Sequence, residues 1–246
     1  MAERDVLREA PLLPAPAGTT TSPPDVRAGL TDIDVSFGRA SRELKRSLDL
    51  VIASAALVLL SPLLLVVGLA IRLTSPGPAL FRQTRIGYRG VPFVMFKFRT
   101  MQHDSDDSIH RAFVTAMLSG EAVEPSQDET YKLTDDPRVT RLGAYLRRLS
   151  IDELPQLINV LRGEMSMVGP RPALPWEVEL FEPEHLIRFQ VKPGITGLWQ
   201  VSGRSEVSFS RALALDAEYA GRPSLGLDLA ILLKTLLVVL RRRGAW

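Results

Sequence analysis

The sequence has no cysteine among its 246 residues, which excludes disulfide bonds, thiolate zinc sites and a cysteine nucleophile. It also lacks a strong charge of either sign. The formal net charge is only +2, which argues against a dedicated nucleic-acid-binding protein. The first residues lack the basic start and apolar stretch of a secretion signal, so nothing in them predicts export. We therefore expect a protein of a reducing compartment.

Apolar residues make up 46% of the chain and charged residues 24%, so the chain can build a sizeable core. Its length allows one ordinary domain and a tail. Residues 1–38 are rich in proline and alanine and show neither helical nor strand periodicity. We predict a disordered tail there, with ordered structure beginning near Arg39.

The most apolar part of the sequence is residues 50–71, a run of 22 residues without a charge. A helix of that length reaches roughly 30 Å, the thickness of the hydrocarbon core of a bilayer. Ser61 and Pro62 lie in its middle, where proline removes a backbone hydrogen bond and kinks or breaks a helix. The run has equally basic flanks, formed by Arg39, Arg42, Lys45 and Arg46 before it and by Arg72, Arg82, Arg85 and Arg89 after it.

Equal flanks do not fit a spanning helix, for which the positive-inside rule expects one basic and one poorer side. They favour a re-entrant helical hairpin over residues 39–74 that dips into the membrane and returns to the cytosolic side. A kinked transmembrane helix stays open as an alternative. A buried core helix of a soluble domain is a weaker alternative, because 22 uncharged residues are long for such a helix.

Residues 75–101 combine glycine, aromatic residues and cations. Apolar residues in 93–98, with Gly87 and Gly90 as turn residues, predict a short β-hairpin. The cations of this segment have no acid among them, so they form either a solvated or headgroup-facing surface or an anion site. Residues 102–130 form an acidic insertion, predicted to be a solvated loop with one short helix. Its two histidines, His103 and His110, lack the spacing of a metal pair.

Helical periodicity resumes after residue 138 and predicts one helix before Ser150 and a second that ends at Gly163. Two prolines around Arg171 then predict an extended strap. Near the C-terminus, an apolar helix is interrupted by Asp228 and Lys234 and followed by three arginines. Its composition favours an interfacial helix over a spanning one, because the cations suit anionic headgroups.

The sharpest cluster of chemical groups is Ser-Ile-Asp-Glu at residues 150–153. One interpretation is a capping box, in which Ser150 caps the second helix and Glu153 reaches back to the helix start. The other is catalytic. An ionised Asp152 beside Arg147 can attack a phosphorus atom, and Glu153 can help to hold a divalent metal such as Mg²⁺. The residues alone leave both interpretations open.

The chain resembles the bacterial sugar transferase family, the monotopic polyprenyl-phosphate phosphoglycosyl transferases of the undecaprenyl-phosphate hexose-1-phosphate transferase type. The resemblance covers about residues 41–246, and the long block from residue 146 is its most specific part. It is carried by KRSLDL at 45, SPGP at 75, FRQTRIGYRG at 81, KFRTM at 97, DPRVTRLG at 136, LRRLSIDELPQLINVLRGEMSMVGPRP at 146 and KPGITGLWQVSGR at 192.

The resemblance implies an α+β, mostly helical, monotopic membrane protein with a re-entrant helix broken at Ser61-Pro62, a small β-hairpin and interfacial amphipathic helices. Residues 75–246 are then a catalytic domain on the cytosolic face. Asp152 is implied to be the nucleophile, and Glu153 the second catalytic carboxylate and the ligand of Mg²⁺. Substrate-binding roles are implied for five cations, Arg147, Arg171, Arg204 and, more loosely, Lys97 and Arg99.

The implied reaction transfers a sugar 1-phosphate from a UDP-sugar to polyprenyl phosphate and releases UMP, through a phosphosugar–aspartate intermediate in a ping-pong sequence. It would initiate exopolysaccharide, capsule or O-antigen-type glycan synthesis at the cytosolic face of the bacterial inner membrane. The partners expected are the two substrates and membrane lipid, without nucleic acid. A homo-oligomer is compatible with the sequence. The sequence does not identify which sugar is transferred. The alternative of another class is a non-catalytic, membrane-docked interaction protein of envelope polysaccharide assembly.

Overall fold

A computed structural model describes residues 38–102, 136, 138–203 and 207–241, with residues 240 and 241 described by their backbone alone. The described part is mostly helical, as the sequence predicts, and contains two small two-stranded sheets. Four predicted features lie outside the described residues. They are the N-terminal tail up to residue 37, the acidic insertion from His103 onwards, which includes His110, the substrate-binding candidate Arg204, and the last two of the C-terminal arginines, Arg242 and Arg243.

The elements of the described part are, in chain order, α1 (Arg39–Thr74), β1 (Leu80–Ile86), β2 (Pro92–Phe98), α2 (Arg141–Arg148), α3 (Leu157–Arg162), β3 (Ser166–Val168), α4 (Pro175–Val178), β4 (Gly194–Thr196), α5 (Leu198–Val201), α6 (Phe209–Gly221) and α7 (Leu225–Arg241). In addition, 3-10 helices connect some of them, at Tyr88–Gly90, Ile151–Gln156 and Pro183–Gln190.

Helix α1 has one buried stripe and one broad exposed apolar face. Its buried residues are Asp49, Ala53, Val67 and Ile71, which recur at helical spacing. Only 11% of its most apolar 18-residue window is buried, so the alternative of a soluble core helix is wrong. Among the described residues, α1 is the one helix long and apolar enough to cross a membrane. Its outward face exposes Val51, Val58, Leu59, Leu65, Val66, Leu69 and Leu73.

Both halves of α1 pack against the domain that follows. In the first half, Ala53 lies in a buried cluster with residues of β2 and α3. In the second half, Val67 and Ile71 pack on Phe98 and Leu146, which belong to β2 and α2. Helical structure continues through Pro62, and the re-entrant path of the segment stays a prediction.

The predicted β-hairpin is confirmed. Strands β1 and β2 pair antiparallel from Leu80 opposite Phe98 to Ile86 opposite Pro92. The connecting turn needs a left-handed backbone, which Arg89 adopts at φ 55° and Gly90 at φ 72°. The strand β2 is fastened to α3 by Asn159, whose side chain accepts from the Phe96 amide and donates to the Val94 carbonyl. The hairpin thereby forms a fixed wall beside the 150–153 segment.

Helix α2 is shorter than the periodicity predicts. It begins after Thr140, whose hydroxyl accepts a hydrogen bond from the Gly143 amide at 2.9 Å, and Leu149 lies just beyond its end. Gly143 packs so closely on the Thr100 backbone that a Cβ there would overlap it. The predicted end of the second helix at Gly163 is confirmed, with Gly163 in the left-handed conformation at φ 82°.

The C-terminal half contains elements that the sequence does not predict, namely the parallel pair of β3 and β4 and the helix α6. Residues 169–173, called the strap below, leave β3 and carry Arg171 past β4. The predicted C-terminal helix is present as α7, with Ile231 and Asp228 buried. Its opposite face exposes Leu229, Leu233, Leu236 and Leu237.

Candidate active site

The segment at residues 150–153 does not form a capping box. Ser150 takes the left-handed conformation at φ 55° and its side chain makes no capping hydrogen bond. Its amide donates to the Arg147 carbonyl and its own carbonyl accepts from the Glu153 amide, so the Ser150 backbone joins the end of α2 to the start of the 3-10 helix Ile151–Gln156. The Glu153 side chain lies on Lys97. The capping-box interpretation of this segment is therefore wrong.

Asp152 lies in the first turn of the 3-10 helix Ile151–Gln156 and is 8% exposed. A 3-10 helix is tighter than an α-helix, and Pro155 within this one limits its movement. The helix packs on β2 and on α2, the element that carries Arg147. The carboxylate is thus held on a short rigid element at the end of an arginine-bearing helix.

The positive charge of Arg147 interacts with the negative charge of Asp152. Its Nε donates to the Thr100 hydroxyl at 2.9 Å, which fixes the guanidinium against the end of the β-hairpin. Burial lowers the pKa of Arg147, while the negative charges of Asp152 and Asp136 act against that shift. Because a buried arginine stays protonated, its cation stabilises an ionised Asp152.

Asp136 and Arg138 extend this charge cluster, and neither is among the sequence-predicted site residues. The Arg138 guanidinium donates to both Asp136 oxygens, at 2.8 Å from Nε to Oδ1 and 2.7 Å from Nη2 to Oδ2. These hydrogen bonds hold the pKa of Asp136 below its ordinary value, although burial opposes them. The signal in the sequence is DPR at 136, whose aspartate and arginine are two residues apart.

Lys97 forms an ion pair with Glu153, the neighbour of Asp152 in the chain, with 3.0 Å between Nζ and Oε1. Lys97 comes from β2, so the pair ties the 3-10 helix to the β-hairpin. The Lys97 side chain is 26% exposed and that of Glu153 30%, so water and a substrate can reach both. The sequence-predicted residues Lys97, Arg147, Asp152 and Glu153 are therefore brought together.

Arg99 is directed elsewhere. It is buried, and its guanidinium donates to the carbonyl oxygens of Pro76 and Ser75 at 2.6 and 2.9 Å and to the Ser75 hydroxyl. These contacts fasten the SPGP loop after α1 to the end of β2. In this structure Arg99 supports the loop, and its predicted contact with substrate stays a prediction.

Arg171 lies on the strap, which follows β3 and is braced by β4. Gly194 and Gly197 approach the Gly169 backbone so closely that a Cβ on either would overlap it. Pro170 accepts a hydrogen bond from the Gly194 amide at 2.9 Å. The strap is thus a fixed segment, and Arg171 projects from a constrained backbone.

The two adjacent carboxylates fit the demands of Mg²⁺. The described residues hold no group of three or more histidine, aspartate and glutamate side chains that could bind a metal by themselves. Mg²⁺ needs no such cage, because it commonly binds through one or two carboxylates together with substrate phosphates and water. Glu153 is accessible and paired to one flexible lysine, so it can serve as such a ligand.

Comparisons with known proteins agree with this geometry. The family model described as bacterial sugar transferase matches residues 40–242. The exopolysaccharide production protein ExoY of Rhizobium meliloti is 43% identical over 202 residues, which cover 82% of this chain and 88% of that protein. The UDP-glucose:undecaprenyl-phosphate glucose-1-phosphate transferase of Caulobacter vibrioides is 44% identical over 210 residues, covering 82% of this chain and 72% of that protein.

A third relative is longer. The undecaprenyl-phosphate galactose phosphotransferase of Salmonella typhimurium is 39% identical over 209 residues, which are 85% of this chain and 43% of that protein. The matched region of this chain contains α1, the β-hairpin, the 150–153 segment and the strap, so the site lies wholly within it. The chain belongs to the bacterial sugar transferase family and is, as a member, a phosphoglycosyl transferase.

Proposed function

We propose that this enzyme transfers a sugar 1-phosphate from a UDP-sugar to undecaprenyl or a similar polyprenyl phosphate, with release of UMP. The product would be the first lipid-linked intermediate of an exopolysaccharide, capsule or O-antigen-type glycan. The observation that carries this proposal is the placement of Asp152 on a rigid 3-10 helix, where its charge interacts with Arg147 and its neighbour Glu153 is paired with Lys97. The names of the relatives support the substrate classes.

In the first step Asp152 is the nucleophile. A carboxylate oxygen attacks the β-phosphorus of the UDP-sugar, the bond from that phosphorus to the oxygen of the UMP phosphate breaks, and UMP leaves with the electron pair. The product on the enzyme is a phosphosugar–aspartate. Arg147 supports this step because its cation keeps Asp152 ionised and offsets the repulsion between a carboxylate and a diphosphate.

In the second step a phosphate oxygen of the polyprenyl phosphate attacks the same phosphorus. The acyl-phosphate bond breaks and Asp152 returns to a free carboxylate, so neither step requires a proton from the protein. The bond between the sugar and its phosphate is preserved throughout. Both substrates use the same site in turn, which is a ping-pong sequence and needs only one pocket in a small domain.

Glu153 and Lys97 are proposed to manage the charge of the diphosphate. Glu153 would hold Mg²⁺ with substrate phosphates as further ligands, and the metal would supply neutralisation of the phosphate oxygens. Lys97 is then released from its pair and can donate to a phosphate oxygen. The 3.0 Å pair in the free enzyme keeps both side chains at the mouth of the site.

The membrane arrangement proposed is monotopic, with the site at the cytosolic face. Both halves of α1 pack against one domain, which supports placing both ends of the helix on one side of the membrane. The exposed apolar side chains of α1 and α7 would enter lipid, which is favourable by about 1.5–3 kcal/mol for each large side chain buried. This brings a soluble nucleotide sugar and a lipid-borne phosphate to one boundary.

The reaction is tested by UMP release from a panel of UDP-sugars, with the purified full chain, Mg²⁺ and undecaprenyl phosphate. We expect release with one or a few donors, and loss of release on removal of Mg²⁺. Trapping the enzyme with labelled donor before adding lipid should leave the label on the chain. No UMP release with any donor, from folded and membrane-bound protein, would overturn the proposal.

The topology is tested separately with single cysteines at two exposed positions, Glu43→Cys and Pro78→Cys, because the natural chain has none. A membrane-impermeant thiol reagent should label both in inside-out vesicles and neither in intact cells. Labelling of the two positions from opposite sides would contradict the re-entrant path and restore the spanning helix.

A further inference from the structure

The strap has only one amide hydrogen available in its middle. Residues 170–172 are Pro-Arg-Pro, and proline has no backbone N–H, so Arg171 supplies the sole donor of the three. Asp216 Oδ2 accepts from this amide at 3.2 Å. The Arg171 carbonyl accepts from Arg188 Nη2 at 2.7 Å. Both backbone groups of Arg171 are therefore bound to one pair of side chains.

Arg188 and Asp216 also bind each other, with 2.6 Å between Nη2 and Oδ2. They come from different elements, the 3-10 helix Pro183–Gln190 and α6, which pack together. Their side chains are only 4% and 3% exposed, and the Arg188 guanidinium lies 5.1 Å from the Phe181 ring centre. The same two atoms, Nη2 and Oδ2, thus close a triangle with the Arg171 backbone.

The ends of the strap are held by other groups. Gly194 donates to Pro170 at 2.9 Å, Arg85 Nη1 donates to the Pro172 carbonyl at 3.1 Å, and Ile86 donates to the Ala173 carbonyl at 2.8 Å. Of these contacts, the one from Gly194 also fixes the carbonyl of the peptide group that precedes the Arg171 Cα. The buried pair holds the N–H of that peptide group and the carbonyl of the next one, and through them it helps to set the direction in which the Arg171 side chain leaves the strap.

A buried ion pair is a weak device for stability, because apolar residues of similar volume often stabilise a core equally well. Its worth here lies in geometry. Binding and catalysis lose heavily when a charged group is misplaced by about 1 Å. An arginine binds a diphosphate most strongly when its guanidinium is already oriented to donate two parallel hydrogen bonds to the phosphate oxygens.

We propose that Arg188 and Asp216 are positioning residues that hold the Arg171 backbone so that its guanidinium meets the diphosphate of the nucleotide-sugar donor. This inference rests on the proposed function, in which Arg171 binds donor phosphate. Arg188 and Asp216 themselves touch neither substrate nor nucleophile and act through Arg171.

The test is a mutant cycle on the full chain in detergent or nanodiscs. One arm replaces the pair by apolar residues of similar size, Arg188→Met with Asp216→Leu, which removes the two opposite charges together. The second arm is Arg171→Ala, and the third combines all three changes. We expect the pair variant to raise the KM for the UDP-sugar about tenfold with a smaller change in kcat. In the Arg171→Ala background the pair replacement should add nothing.

The matched control is Ile231→Ala, which removes a buried side chain in α7. It should lower thermal stability without changing the donor KM. The proposal would be overturned if the KM of the triple variant rose by the product of the two separate increases, from the pair replacement and from Arg171→Ala. Such independence would show that the pair acts on the fold at large and not through Arg171. An unchanged donor KM in a folded pair variant would overturn it as well.

Two measurements keep this test separate from the reaction itself. The dissociation constant of UDP can replace KM in the same mutant cycle. The cycle then shows whether the pair acts through Arg171 even if the enzyme turns over no donor. Hydrogen exchange of the Arg171 amide should accelerate in the pair variant and stay unchanged in Ile231→Ala. Unchanged exchange in the pair variant would contradict the clamp. If the natural enzyme released no UMP, while the pair replacement weakened UDP binding only when Arg171 was present, the proposed function would be contradicted and the clamp would stand.

Discussion

Two ion pairs in this chain have similar lengths but differ in how deeply their side chains are buried. Lys97–Glu153 spans 3.0 Å, with side chains 26% and 30% exposed, whereas Arg188–Asp216 spans 2.6 Å and is almost fully buried. The first joins a 3-10 helix to a β-hairpin at the mouth of the site. The second joins two helices behind the strap and binds the backbone of Arg171.

The difference indicates a division of labour. The Lys97–Glu153 pair, called the exposed pair below, is half-buried but keeps more than a quarter of each side chain open to water, so opening it for phosphate or a metal should cost only about 1 kcal/mol or less. A buried pair cannot open without leaving a charge in the interior, which costs about 3–5 kcal/mol when one partner is removed. Under the proposed function, the site would combine side chains that exchange partners with two buried residues, Arg188 and Asp216, that hold the strap in place.

The largest expected effect concerns the group that the exposed pair flanks. Asp152→Asn keeps the size of the side chain and removes its charge, so UMP release should fall by about 10³-fold or more. Membrane association should be unchanged, because Asp152 is buried and belongs to neither α1 nor α7. The control is Glu218→Gln, an exposed acid on α6, which should retain full activity. Retained activity in purified Asp152→Asn would refute the nucleophile assignment.

The second prediction breaks the buried pair. Arg188→Met leaves the Asp216 carboxylate without its buried partner, so the free energy of unfolding should fall by about 3–5 kcal/mol, measured with denaturant. The matched change in the exposed pair, Lys97→Met, should lower it by about 1 kcal/mol or less. Equal losses in the two variants would contradict the contrast drawn between the pairs.

The third prediction breaks the exposed pair on its acidic side. Glu153→Gln should lower kcat about 10²-fold and raise the Mg²⁺ concentration needed for half-maximal activity, because an amide is a poorer ligand for that ion. Thermal stability should change little. An undiminished response to Mg²⁺ in this variant would remove Glu153 from the metal site and leave it as the partner of Lys97 only.

The sequence predicted the exposed side of the site far better than the buried side. Alternation in residues 93–98 gave the β-hairpin, and Gly163 marked a helix end, because both signals are local. The left-handed Ser150 had no local signal, since S-x-x-E is typical of a capping box. What overrides that pattern is Lys97, which is 56 residues away and takes the Glu153 carboxylate.

The buried residues that hold the strap, Arg188 and Asp216, were not predicted, because their partners are also distant in the sequence. Arg188 and Asp216 are 28 residues apart, and nothing in the sequence around either one marks it as buried or paired. The strands β3 and β4 are three residues long and pair in parallel across the strap, so no alternation reveals them. Family resemblance placed Arg171 in the site, and only the fold identified the residues that hold it.

The smallest expected effect is a pH dependence that separates the buried pair from the rest of the chain. Burial raises the pKa of Asp216 from its ordinary value of 3.8 to about 6, although Arg188 and the Arg171 amide act to lower it. The charged groups that face it are Arg171, Glu177 and Arg188. A folded-state pKa above the unfolded one means that the folded chain holds this proton more tightly. The stability contributed by Asp216 is therefore fully present below about pH 4 and is lost as the pH rises to about 6.

Denaturant unfolding at pH 4, 5, 6 and 7 measures this dependence in the natural chain and in Asp216→Asn, in which position 216 no longer titrates. Relative to Asp216→Asn, the natural chain should lose free energy of unfolding as the pH rises from 4 to 6, and the difference between the two should then stay constant. Asp136→Asn is the control of opposite sign, because hydrogen bonds from Arg138 lower the pKa of Asp136 and its contribution is lost only on acidification. Parallel curves for the natural chain and Asp216→Asn would show that the carboxylate is ionised throughout. The clamp on Arg171 would then be permanent instead of tightening as the pH rises towards neutrality.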